Sequence, residues 1–172
     1  MSGHLKNKKC YLSGPIQFAQ GPNWRIEPIS VMTTRFGIDV FDPYSDEKQS
    51  WTSELKIAKE NKDISTMVKL AKGIVRKDLG MVDRSDFLIA YVPHGIKTIG
   101  TVHEVVNSRN SKKPTLLVTD QNDITCLPLW YFGFIPPSCM FANWDDLYNY
   151  LEEVDQGKHD KNDRWKFVYN LV

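Results

Sequence analysis

The chain has 172 residues, of which 41% are hydrophobic and 25% charged, and its formal net charge is +1. This length allows one domain with a substantial core. Proteins that bind nucleic acid or membrane surfaces through bulk charge are strongly basic, and this chain is not, so we expect no nucleic-acid partner. No apolar run approaches membrane length and the N-terminus lacks the pattern of a signal peptide, so we expect a cytoplasmic protein without a membrane partner.

Strand and helix patterns alternate from the N-terminus. Residues 1–8 are polar and basic, and we expect them to be flexible. Short strands are predicted at residues 9–13 and 38–41, with a helix between them over about residues 23–36. Pro28 predicts either a kink in that helix or a later start. The charged residues 44–63 are either an excursion that covers a pocket or a plain solvated helix and loop.

An amphipathic helix is predicted next. Its apolar residues recur at helical spacing from Ile64 to Val82, and Asp78 lies on the same stripe. A carboxylate on a stripe that faces the core needs a partner or a chemical task, because burying it unpaired is costly. Backbone amides, Arg76 or Arg84 are possible partners, so Asp78 is either a satisfied structural residue or a functional acid.

The following segment combines a buried strand with a helix start. Residues 87–92, FLIAYV, form a continuous apolar run that predicts a strand buried on both faces of a parallel sheet. Thr101 and Glu104 have the spacing of a capping box, which predicts a helix start. Glu104 is therefore either a structural cap or an ionised carboxylate, fixed in a first helical turn, that can serve as a glycosyl-accepting nucleophile.

The last third of the chain completes the pattern. A buried strand is predicted at residues 114–119, a short strand at 140–141, and a helix from Asn143 or Asp145 to about Val154. The aromatic residues 130–137 contain two prolines and cannot form a regular central strand. Residues 155–172 end in an apolar segment, and we expect this extension to dock on the core or on a neighbouring subunit.

The order of the elements predicts a single-domain α/β fold with a doubly wound, five-stranded parallel sheet. Ligands of such sheets bind beyond the carboxyl ends of the strands, at the point where the strand order reverses. The loops after Ser13, after Phe41 and after Val92 meet at this edge. We therefore expect the functional site there.

Five motifs are spread in order along the first 104 residues. They are YLSGPI at residues 11–16, WR at 24–25, VFDP at 40–43, KDLGMVDRSDFLIAYV at 77–92 and GTVHE at 100–104. Together they resemble the nucleoside 2-deoxyribosyltransferase family, which includes the 2'-deoxynucleoside 5'-monophosphate N-hydrolases.

The resemblance implies cleavage of an N-glycosidic bond through a covalent sugar ester on Glu104. It also implies that Asp78 protonates or holds the leaving base and that Tyr11 orients the nucleophile. This agrees with the residue chemistry, since a retaining displacement needs two carboxyl groups about 5 Å apart, one ionised and one able to hold a proton.

Substrate contacts are expected around the same loops, which could cradle a sugar or phosphate with backbone N–H groups. The candidate substrate-binding residues are Ser13, Gly14, Gln17, Arg25, Asp42, Thr98, Gly100 and Thr101. Thr98 stands six residues before Glu104, where transferases of the family often carry an acidic or amide side chain for base recognition. Arg25 and Lys97 either neutralise a 5'-phosphate or are ordinary surface cations. We expect no metal and no cofactor.

Three functions remain open at this point. The first is transfer of 2-deoxyribose between nucleobases, and the second is hydrolysis of deoxynucleotides, with water as the acceptor. The third, of another class, is a nucleotide-binding or sensing module without turnover. Glycohydrolysis of a dinucleotide such as NAD is a further variant of the enzyme hypothesis. The resemblance also implies a homodimer or a larger even homo-oligomer acting on a small-molecule nucleoside or nucleotide.

Overall fold

The computed structural model describes residues 3–16, 23–44, 46–96 and 98–169. Five parallel strands form one sheet in the order β2-β1-β3-β4-β5. The strands are β1 (Lys9–Ser13), β2 (Asp39–Phe41), β3 (Phe87–Tyr91), β4 (Thr115–Val118) and β5 (Met140–Phe141). The predicted doubly wound α/β fold is confirmed.

Helices cover both faces of this sheet. They are α1 (Asn23–Phe36), α2 (Asp46–Glu60), α3 (Ile64–Arg84), α4 (Ile99–Asn110), α5 (Leu129–Phe132), α6 (Trp144–Asp155) and α7 (Trp165–Val168). Helix α1 contacts α6 on one side, whereas α3 contacts α4 on the other. Because β1 pairs with both β2 and β3, the strand order reverses beside β1, and the crevice of the fold lies at the carboxyl ends of β1 and β3.

The helix α1 spans the predicted residues and contains Pro28, so the proline does not delay its start. Residues 44–63, for which two interpretations were open, contain α2, which packs on α3. Ala58 of α2 is buried, while Ile57 is exposed.

Helix α3 differs from the expectation that its whole apolar stripe faces the core. Only Asp78 and Val82 are buried, whereas Ile64, Val68 and Val75 are exposed. The reason is length: 21 residues of helix extend about 31 Å at 1.5 Å per residue, roughly twice the length of the five-residue strand β3. The first turns of α3 therefore project beyond the sheet.

Helix α4 begins earlier than the capping box predicts, which makes that prediction wrong. Its N-cap is Thr98, whose side chain makes no cap hydrogen bond, and Thr101 and Glu104 both lie inside the helix and are buried. Glu104 is in the second turn, so it does not cap the helix. Its carboxylate is turned toward the sheet instead.

Both ends of the described chain contact the core. Residues 3–8 were expected to be flexible, but Leu5 is fully buried and its N–H donates to the Asp155 carboxylate at 2.7 Å. In the C-terminal extension, Trp165 is buried and donates to the Tyr150 hydroxyl, and Tyr169 donates to the Val154 carbonyl. These described residues of the extension dock on their own domain.

Candidate active site

Glu104 is the centre of the site. Its side chain is buried, with 7% of its surface exposed, and each of its two carboxylate oxygens accepts a hydrogen bond from a hydroxyl group. The Tyr11 hydroxyl donates to Oε1 at 2.8 Å, and the Ser13 hydroxyl donates to Oε2. The carboxylate is therefore fixed in position and orientation before any ligand binds.

The secondary structure explains why these three residues meet. Side chains alternate between the faces of a strand, so Tyr11 and Ser13 of β1 point to the same face. Helix α4 packs against β1 on that face and presents Glu104 to both hydroxyls. The register places Ser13 opposite Ala90 of β3, directly at the reversal of strand order.

Asp78 belongs to the same electrostatic cluster. It is 7% exposed and lies on α3, which contacts both β1 and α4. Burial raises the pKa of Tyr11 well above its usual value of 10, and the charges of Glu104 and Asp78 raise it further. Tyr11 is therefore a neutral donor, and Asp78 is near enough for its charge to act on the same phenol. Arg84, which was considered as a partner of Asp78, donates its Nε to the Gly80 carbonyl.

Arg25 is not the surface cation that one interpretation proposed. Only 2% of its surface is exposed, and it forms an ion pair with Asp42 at 2.9 Å. Its guanidinium also donates to the carbonyls of Leu12 and Gly14. The structure thus brings Arg25 and Asp42 to the loop after β1, but buries the cation beneath it.

An aromatic cluster beside this loop was not identified from the sequence as part of the site. The Trp24 ring lies 4.7 Å from the Tyr91 ring and 6.2 Å from the Trp144 ring. The Tyr91 hydroxyl donates to Asp120 at 3.0 Å. The three rings come from elements that lie far apart in the chain. In the sequence, they are indicated only by the aromatic residue at the end of the β3 pattern and by the WR motif.

Gly14 is required by this packing. A Cβ at its position would lie 2.6 Å from the Trp24 ring, and its φ of +157° is a conformation that side chains disfavour. The backbone of the loop can approach the indole only because residue 14 has no side chain.

The other predicted substrate residues occupy the rim or lie outside the described structure. Thr101 is buried one turn before Glu104, Gly100 is exposed at the start of α4, and Thr98 is half-buried. Gln17 and Lys97 fall outside the described residues. Their expected roles stay predictions.

In the described part of the chain, no group of three His, Cys, Asp or Glu side chains is arranged to hold a metal ion. No helix in the same residues has the length and apolar character needed to cross a membrane.

The fold and the site together define a doubly wound α/β protein in which two hydroxyls hold a carboxylate at the point where the strand order reverses. No family model and no curated protein sequence matches the chain. A solved structure has the same fold: the 2-deoxyribosyltransferase from the psychrotolerant bacterium Bacillus psychrosaccharolyticus superposes with a TM-score of 0.56 and 19% sequence identity. The match covers 82% of this chain and 90% of that chain.

Proposed function

We propose that the protein cleaves the N-glycosidic bond of 2'-deoxynucleosides or their 5'-monophosphates and transfers the deoxyribosyl group to another base. The observation that carries this proposal is the buried Glu104 carboxylate, held on both oxygens by the hydroxyls of Tyr11 and Ser13 at the crevice of the fold. The likeness to a solved 2-deoxyribosyltransferase supports the choice of sugar and reaction.

In the first step, a Glu104 oxygen attacks C1' of the deoxyribose and forms a glycosyl ester. The C1'–N bond breaks, its electron pair goes to the departing base, and Asp78 in its acid form donates the proton that the base needs. A carboxylate oxygen has more than one acceptor site, so it can keep its hydroxyl partner and still attack. The hydroxyls of Tyr11 and Ser13 thus position the nucleophile without blocking it.

In the second step, a nitrogen of the acceptor base attacks C1' and breaks the ester. Asp78 takes up the proton released by that nitrogen, and Glu104 leaves as a carboxylate. Tyr11 and Ser13 favour this departure because their hydrogen bonds to a charged carboxylate are stronger than those to a neutral ester. Water in place of the acceptor base would make the same chemistry a hydrolysis.

Substrate contacts are proposed for the residues that surround Glu104. We assign contacts with the sugar and base to Ser13, Gly14, Thr98, Gly100 and Thr101, and Gln17, which lies outside the described residues, remains a predicted contact. The side-chain hydroxyls and backbone groups of these residues can form hydrogen bonds with a polar base edge or with a sugar hydroxyl. The substrate is a small nucleoside or nucleotide that leaves both carboxyl groups within reach of its glycosidic bond.

We further propose that a second copy of the chain covers the exposed stripe of α3. At 100° per residue, positions 64, 68, 71, 75 and 78 fall within an arc of about 80°, so the exposed apolar surface leads directly to Asp78. A two-fold contact would present the same stripe from both copies. It would also shield the Asp78 end of the site from water, which favours transfer over hydrolysis.

The proposal is tested by incubating the protein with each 2'-deoxynucleoside and its 5'-monophosphate, with and without a free acceptor base, and separating the products. We expect a new nucleoside only when the acceptor is added, and a protein mass increased by one deoxyribosyl group after rapid acid quenching. Glu104→Gln, which keeps the shape of the side chain but removes the nucleophile, should abolish both signals. Glu60→Gln on the exposed end of α2 is the matched control.

Each alternative gives a different result. Free base released at the same rate without acceptor identifies the hydrolase. Saturable binding of a nucleotide with no product from either the native protein or Glu104→Gln identifies the non-catalytic binding module. Product formation that survives in Glu104→Gln contradicts the covalent mechanism.

A further inference from the structure

Arg25 holds the backbone on both sides of Ser13. Its Nη1 donates to the Leu12 carbonyl at 2.8 Å, and its Nη2 donates to the Gly14 carbonyl at 3.1 Å. Ser13 lies between these carbonyls and donates its hydroxyl to Glu104. A single buried guanidinium therefore fixes the peptide units that carry one of the two donors to the carboxylate.

Asp42 gives this buried cation its counter-charge. The Asp42 carboxylate accepts from Nη1 at 2.9 Å and from the Tyr44 N–H at 3.0 Å, so the end of β2 is tied to the same guanidinium. Burial lowers the pKa of Arg25, and the charge of Asp42 acts in the opposite direction. An arginine in such a pair keeps its proton, because its unperturbed pKa is above about 12.

Trp24 adds a third tether to the same loop. Its Nε1 donates to the Pro15 carbonyl at 3.2 Å, and the Arg25 guanidinium lies 4.3 Å from the centre of its ring. Two adjacent side chains of the first turn of α1 thus hold the carbonyls of residues 12, 14 and 15. This explains physically why the WR pair occurs where the helix meets the loop.

We propose that Arg25 is a positioning residue for the nucleophile and not a contact of the substrate phosphate. This inference rests on the function proposed above. Arg25 acts through Ser13, whose hydroxyl holds Glu104, and through its own positive charge, which interacts electrostatically with Glu104, Tyr11 and Asp78. A phosphate would have to displace a carbonyl or Asp42 to reach a group that is 98% covered.

The two roles predict different kinetics for Arg25→Ala. If Arg25 positions the nucleophile, Arg25→Ala lowers kcat about 100-fold, which is the scale expected for a misplaced reacting group. The factor is the same for a 2'-deoxynucleoside and for its 5'-monophosphate. KM changes little for either substrate. A loss confined to the monophosphate, with a raised KM, would overturn the proposal. Arg35→Ala is the matched control, since Arg35 lies on the same helix in an exposed ion pair with Glu152.

A second variant separates positioning from misfolding. Arg25→Ala leaves Asp42 without its counter-charge, whereas Arg25→Met combined with Asp42→Asn removes both charges and keeps the volume, a change that proteins often tolerate. We expect this double variant to melt cooperatively and still to have the low kcat on both substrates. Arg25→Lys should recover only part of kcat, because one ammonium cannot replace the planar fork that reaches two carbonyls and a carboxylate.

A crystal structure of the double variant decides the inference independently of activity. Loss of the hydrogen bond between Ser13 and Glu104 supports positioning, and an unchanged bond overturns it. If the native protein has no glycosidic activity on any substrate, the proposed function fails, but this structural comparison still decides what Arg25 does. If the native protein is active and the double variant is equally active, only the positioning role fails.

Discussion

In the proposed mechanism, the hydroxyls of Tyr11 and Ser13 determine how Glu104 is presented to a substrate. A hydrogen bond to a charged group contributes about 1.5–3 kcal/mol, so Tyr11→Phe and Ser13→Ala should each lower kcat by about 10- to 100-fold. Steady-state kinetics on the best substrate measure this. Tyr169→Phe is the control, because it removes a buried hydroxyl that donates to the Val154 carbonyl and not to Glu104. An effect on kcat equal to that of Tyr169→Phe would contradict the assigned roles.

The pH dependence of Tyr11 follows from the direction of its pKa shift. Burial and the charges of Glu104 and Asp78 raise the pKa above 10, so the neutral phenol persists at pH values where a free tyrosine has already ionised. The hydrogen bond to Glu104 is therefore retained below pH 10, and is lost only when the pH rises through the raised pKa. A fall in activity between neutral pH and pH 9 would have to come from another group.

Some residue-level features can be inferred from sequence and others cannot. Asp78 stands out because a carboxylate interrupts an apolar stripe, and Glu104 because of its spacing from Thr101. Tyr11 is indicated only by the resemblance of the YLSGPI motif to a known family. The burial of Arg25 is not visible, because it depends on carbonyls and a carboxylate that only the folded chain brings together. The bond between Ser13 and Glu104 spans 91 residues and has no local signal.

At the scale of elements, the junction of β1 and α1 depends on Gly14. Gly14→Ala would place a methyl group 2.6 Å from the Trp24 ring and impose an unfavourable φ, so it should lower both the free energy of unfolding and kcat. Urea denaturation and kinetics measure the two effects. Trp24→Leu in the same chain should recover part of the loss, because it removes the colliding ring but not the strain.

The control for Gly14→Ala is Gly80→Ala in α3. Among the described residues, no atom outside the surrounding helix backbone lies within 4 Å of a Cβ at Gly80, and alanine is a better helix former by about 1 kcal/mol, so this change should be neutral or stabilising. If Gly14→Ala were also neutral, the close approach of loop and indole would not be needed for the fold.

The bounds of the elements show where local patterns succeed. The sequence pattern predicts α1 and β1 closely, and both elements have the expected bounds. It fails to locate the start of α4, since Thr98 ends the preceding extended backbone without using its side chain as a cap. It also overstates the burial of α3, because the same apolar stripe can face the core or project from the domain.

At the scale of the whole molecule, the alternation of elements predicts the parallel sheet, since a strand, helix, strand order allows few other packings. The position of the candidate site follows from that topology, because the strand order reverses at β1 and Ser13 ends that strand. What the sequence does not determine is which apolar surface remains uncovered. That depends on how far α3 extends past the strands it packs on.

The exposed stripe of α3 leads to a prediction about assembly. Val68 and Val75 are 46% and 47% exposed, so a charged residue there leaves the core intact, whereas two copies packed through the stripe would face each other with like charges. Val68→Glu should therefore shift the protein from dimer or higher even oligomer to monomer, as measured by light scattering coupled to size-exclusion chromatography. Ser65→Glu introduces the same charge about 100° from the centre of the stripe and should leave the assembly unchanged.

The same pair of variants tests whether assembly matters for catalysis. If the second copy shields the Asp78 end of the site, the Val68→Glu monomer should release free base in preference to transferring the sugar, because water then competes with the acceptor. Its thermal unfolding should remain cooperative, which separates this effect from misfolding. A native protein that is already monomeric, or a Val68→Glu variant that stays assembled, would show that the stripe is not the contact between copies. An unchanged ratio of transfer to hydrolysis in the monomer would show that the site is complete within one chain.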